Sequence, residues 1–150
     1  MDEAEKALAC AMRALARRDH SVAELERKLR GKDVSAGVTA EIIARLKNAG
    51  YLDDRRFAER WAEAAVRNGR GFGPRLRLEL IRRGVSREMA AEIIADISGA
   101  YGEEETLAAL VARKFAHFDP HTATDREKNR VIAYLQRRGF SIAAIFRVVC

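Results

Sequence analysis

Residues 50–85 read GYLDDRRFAERWAEAAVRNGRGFGPRLRLELIRRGV, and this stretch decides the fold. Phe57, Trp61 and Ala65 recur every fourth residue, the spacing of one helical face. Asp53 or Asp54 stands where an N-cap belongs, ahead of that face. NGRGFG then breaks the helix. Pro74 suits the first turn of the next one, where a backbone N–H has no partner to lose. Leu76 and Leu80 hold one face until Gly84, a helix stop. Ser86 caps a further helix that carries Ile93, Ile94 and Ile97. The unit is therefore three short helices. No segment alternates apolar and polar residues, so no strand is expected.

The same unit stands on both sides. Leu25, Leu29, Ile42, Ile43 and Leu46 reappear 51 residues later as Leu76, Leu80, Ile93, Ile94 and Ile97. One offset shared by five positions in two helices marks a duplicated supersecondary unit. In the first copy a helix covers residues 3–17, with Leu8, Met12 and Leu15 as its apolar stripe. Ser21 and Glu24 form a capping box for a second helix, which Gly31 ends. Thr39 caps a third, which stops at Gly50. A looser third copy follows. Phe57 and Trp61 return as Leu107 and Val111, and RRGVS (82–86) returns as RRGFS (137–141). Val131 and Leu135 stand for Leu76 and Leu80, while Ile145, Phe146 and Val149 stand for the third helix. The segment FAHFDPHTATD lengthens its first connection. The expected fold is all-α: three tandem three-helix, helix-turn-helix-like repeats over residues 1–50, 51–100 and 101–150. Each completes its core on its neighbours in an elongated, curved arrangement.

Charge singles out the middle repeat. Arg55, Arg56, Arg60, Arg67, Arg70, Arg75, Arg77, Arg82 and Arg83 face only Glu59, Glu63 and Glu79 between residues 55 and 83. That leaves +6, the net charge of the whole chain; elsewhere 19 basic and 19 acidic residues cancel. The segment contains no lysine. Guanidinium groups grip carboxylates and phosphates in two-point contacts, which makes these nine arginines the candidate contact residues for a polyanion or an acidic protein surface. On an ideal helix Arg56, Arg60 and Arg67 lie within about 60° of one another, away from Phe57 and Trp61. Glu63 shares that ridge and is expected to pair within it. Phe57 and Trp61 are expected in the core, not on a base-stacking surface. The competing account of the charge is an ordinary solvated face.

Catalytic and metal chemistry find little purchase. His117 and His121 are four apart, but Pro120 between them forbids a regular helical pair. Asp53 and Asp54 diverge by about 100° on a helix and are accounted for as a cap and a first-turn acid. GRGFG lacks both the Lys-Ser/Thr ending and the preceding strand of a nucleotide loop. Cys10 and Cys150 form no CxxC pair and read as reduced thiols. No enzyme activity and no cofactor are expected. The charged start and the absence of a long apolar run point to a cytoplasmic protein. The third helices of the units are acidic, neutral or apolar, a poor base-reading set.

GYLDDRRFAERW, the turn GRGFG, the Leu76–Leu80 segment, Gly84-Val85 and the late RRGF at 137–140 together resemble the RecX family of bacterial recombinase regulators. The resemblance runs from ALARRDHSVAELERKL to the end of the chain. It implies tandem three-helix repeats and a non-enzymatic, cofactor-free, monomeric protein. It implies binding in the groove of the RecA–single-stranded-DNA filament, where extension is blocked or disassembly promoted. Strand exchange, ATPase and co-protease activity are then suppressed. It also implies weak, sequence-independent contact with single- or double-stranded DNA. The rival reading from charge alone is a stand-alone helical nucleic-acid-binding module without a RecA partner.

Overall fold

Small oxygen-bearing side chains set where the helices begin. In the computed structural model, which describes residues 1–150, nine helices follow one another: α1 (Glu3–Arg17), α2 (Val22–Gly31), α3 (Ala36–Asn48), α4 (Asp54–Arg67), α5 (Pro74–Arg82), α6 (Arg87–Tyr101), α7 (Glu103–Lys114), α8 (Asp125–Arg137) and α9 (Ile142–Val149). Asp2, Ser21, Ser35, Asp53, Ser86, Thr124 and Ser141 each accept the N–H three residues ahead, satisfying a donor that a helix start leaves unpaired. The capping box at Ser21 and Glu24 is complete. Asp53, rather than Asp54, caps α4. Pro74 opens α5, and the chain is all-helical, as the spacing required.

Several details differ from the expectation. The cap of α3 is Ser35, not Thr39; the helix begins a turn earlier and buries Thr39 inside it. The left-handed residue after α2 is Asp33 (φ 63°), whereas Gly31 remains in the helix. The inward face of α1 is Ala7, Ala11 and Ala14; Leu8, Met12 and Leu15 flank it, half-buried. Alanines allow close approach of α2 and α3, so the larger neighbours are displaced to the rim. In α9, Ala144, Ile145 and Val149 are buried but Phe146 is 47% exposed. The cap sets this register: Ser141 corresponds to Ser86, so Ile145 and Val149 take the places of Ala90 and Ile94.

Three units share two cores. The first unit closes on itself around Leu25, Leu29, Ile42 and Leu46, with Leu52 from the connecting segment. The second and third units form one continuous core that runs from Phe57 to Val149. Their junction is dense. The rings of Phe72 and Phe140 stack with centroids 5.3 Å apart. Phe72 N–H donates to the Arg138 carbonyl (2.8 Å), and Arg138 Nη1 to the Arg70 carbonyl (3.1 Å). Gly102 alone separates α6 from α7. The molecule exposes 9030 Å². A rounded monomer of this mass would expose about 7,600 Å², so the arrangement is elongated.

Candidate contact surface on the middle repeat

The arginine-rich segment begins at α4, turns through residues 68–73 and ends at the stop of α5. Five of its nine arginines meet carboxylates. Arg55 Nη2 lies 2.7 Å from Glu92 on α6. The hydrogen bond to Glu92 raises the Arg55 pKa further above its ordinary value. Arg60 Nη1 reaches Asp19 in the α1–α2 turn (3.2 Å). Arg70 Nε bonds Glu79 (3.1 Å), and Arg75 Nε lies 3.5 Å from the other oxygen of that carboxylate without aligning as a hydrogen bond. Arg83 Nη1 reaches Glu24 on α2 (3.3 Å). Arg56 spends a donor on the Gly50 carbonyl (2.9 Å). The side chains of Arg67, Arg77 and Arg82 are exposed and make no ion pair or hydrogen bond. With Arg56, they are the positive charges of the segment that no carboxylate of the chain meets.

The expected ridge of Arg56, Arg60 and Arg67 is thus divided among three tasks. Glu63 does not pair within it; it accepts from the Tyr101 hydroxyl (3.1 Å). Burial, followed by that bond to a carboxylate, pushes the Tyr101 phenol up. Phe57 is core, 4% exposed. Trp61 is not: it sits half-buried at the core edge, with the Arg70 and Arg83 guanidiniums 5.6 and 5.2 Å from its ring centre. Such stacking holds a guanidinium in place while leaving its edge for a partner.

Arg18, Asp19, Phe57, Arg60, Trp61 and Arg83 line an open cleft of about 440 Å³ between the first and second units. Below it lies Glu24, whose side chain is 10% exposed and bridges Arg18 (3.1 Å) and Arg83. Burial works against its charge. The Arg18 and Ser21 hydrogen bonds and the two guanidinium charges outweigh burial, and the carboxyl is held below its ordinary pKa. Arg18, Asp19 and Glu24 lie outside the charged segment, and composition gave no reason to single them out. No group of three or more His, Cys, Asp and Glu gathers as a metal would require. His117 and His121 lie exposed around the turn after α7.

Family models for RecX match most of the chain in order: the first three-helix domain at residues 7–46, the second at 53–94 and the third at 102–149. The chain belongs to the RecX family. Among similar proteins, the "Regulatory protein RecX" of Trichlorobacter lovleyi is 41% identical over 87% of this chain and 84% of its own. That of Syntrophotalea carbinolica is 34% identical over 91% of this chain and 90% of its own. The crystal structure of RecX from Lactobacillus salivarius superposes with a TM-score of 0.73 at 21% identity, over 99% of this chain and 95% of that one. The RecX fold therefore accommodates wide sequence change. No helix here is long and apolar enough to cross a membrane.

Proposed function

We propose that this chain is a non-enzymatic negative regulator of the RecA recombinase. It binds in the groove of the RecA–single-stranded-DNA filament, blocks extension or promotes disassembly, and lowers strand exchange, ATPase and co-protease activity. It acts as a monomer in the cytoplasm and takes part in recombination, DNA repair and the SOS response. The observation that carries this reading is the ordered match of three RecX three-helix domains to one elongated chain. Such a chain touches several filament protomers at once, and weak contacts add through effective concentration.

Within the segment, Arg67, Arg77 and Arg82 are the contact residues of choice, because their side chains meet neither a carboxylate nor a carbonyl of the chain, whereas Arg56 holds the Gly50 carbonyl. Arg55, Arg70 and Arg75 are committed to Glu92 and Glu79. The test is DNA-dependent RecA ATPase with substoichiometric protein. The parent chain lowers it, and the triple variant Arg67→Glu, Arg77→Glu, Arg82→Glu loses at least tenfold in potency while keeping its helicity. Unchanged ATPase and filament length with the parent chain would remove the reading.

The segment's excess charge favours one second reading, a nucleic-acid-binding module that needs no RecA. It requires tight DNA binding by the chain alone, with affinity falling steeply as salt rises. Inhibition of RecA without detectable DNA binding decides against it.

A further inference from the structure

The two junctions between the three units are built differently. The second and third units share a core, a stacked aromatic pair and a backbone hydrogen bond. The first unit shares no core with them. The extended packing among α1, α2 and α3, and that from α4 through α9, has no counterpart between the two bodies. What joins them is mostly polar, with one close apolar approach, Gly84 against Ala23 of α2. Asp54 accepts the Val22 N–H (2.8 Å), and the Ser21 hydroxyl donates to the Arg83 carbonyl. Asp19 pairs with Arg60, and Glu24 with Arg83. The Asp19–Arg60 pair is open to water, its side chains 45% and 64% exposed. Exposed ion pairs are weak and yield to salt.

The chain also has a pivot. Leu52 is anchored in the first core and Phe57 in the second, five residues on. Between them only Asp53, the extended cap of α4, stands outside a helix, and Gly50 at φ 83° turns the chain just ahead of Leu52.

We infer that the first three-helix unit is a hinged arm on a rigid two-unit body, latched shut by Asp19–Arg60 and Glu24–Arg83 and released by an anionic surface that takes those arginines. Asp19 and Glu24 act as internal competitors for charges that an external carboxylate or phosphate would otherwise find. The arm stays closed while the cleft is empty. It swings when Arg60 and Arg83 turn outward, and the chain then changes its reach along an extended partner. This movement belongs to the chain alone and does not depend on the filament reading.

Distances between spin labels test it. Cys10→Ala leaves Cys150, on the third unit, as one label site. Lys47→Cys supplies the second on the first unit, and Glu88→Cys a control within the body; both positions are exposed. The variant Asp19→Asn with Glu24→Gln should widen the 47–150 distance distribution at least twofold and leave the 88–150 distribution unchanged. Parent residues in about 1 M salt, where charges are screened beyond about 3 Å, should show the same widening without any change to the fold. The salt arm stands even where the double variant folds poorly. A 47–150 distribution that stays narrow in high salt overturns the hinge. Equal widening of both pairs overturns it too, because the body would then be no more rigid than the arm.

Discussion

Gly139 shows how much one residue carries. Its φ is +98°, a conformation that side chains rarely adopt, and an added Cβ would lie 2.2 Å from the Phe72 carbonyl oxygen and 2.7 Å from the Arg75 Cβ. The close approach lets Phe72 N–H reach Arg138 and lets Phe140 stack on Phe72. The substitution Gly139→Ala must push the second and third units apart, and a loss of at least about 2 kcal/mol is expected in urea unfolding. Gly31 supplies the contrast. It lies within α2 with nothing within 4 Å of an added Cβ. There the same change adds helix propensity and should stabilise by about 0.5–1 kcal/mol. Equal effects at the two sites would show that the Phe72–Gly139 approach does not lock the junction.

At the scale of the element, α9 offers neighbours with opposite fates. Ile145 is fully buried and Phe146 is 47% exposed. Ile145→Ala should cost about 2–5 kcal/mol, and Phe146→Ala no more than about 0.5 kcal/mol. A large loss at Phe146 would put the helix in another register. Sequence spacing placed Phe146 inward because it paired the last helix by its apolar residues, 52 positions on, although RRGVS and RRGFS align Ser86 with Ser141 at 55; following the caps through the helix gives the register. Caps are local, so Ser21, Ser86 and Pro74 were readable from a few residues. The inward alanines of α1 were not readable, since their merit lies in the approach of α2 and α3. Nor were the partners of the arginines. Arg60 meets Asp19 across 41 positions and Arg83 meets Glu24 across 59, and no spacing rule spans such a gap. The density of arginine was legible, but which arginines remain free was a product of the fold.

For the whole molecule, two cores joined by a polar seam imply two unfolding steps, the first unit ahead of the body. Acid should separate them. His20 is 6% exposed in the α1–α2 turn, between the seam residues Asp19 and Ser21, its Nδ1 3.0 Å from the Arg18 carbonyl. Burial, together with the charges of Arg18 and Lys28, lowers its pKa against the opposing pull of that carbonyl and of Glu24. The unfolded chain therefore binds a proton at higher pH than the folded one, and stability falls as pH drops below about 6.5. Glu24 acts in the same direction lower down. Its pKa is depressed in the fold, so its contribution is present above the ordinary glutamate value of about 4.3 and is lost as pH falls through the folded value. Trp61 lies beside Arg83 at the seam and is the sole Trp, so its emission reports on the clasp while far-ultraviolet circular dichroism reports on all nine helices. Between pH 7.5 and pH 5, the Trp61 transition should move to lower urea while the later loss of helix stays in place. His20→Gln should flatten the part of that movement above pH 5. If both transitions coincide at every pH, the chain unfolds as one body and the polar seam is as strong as a shared core.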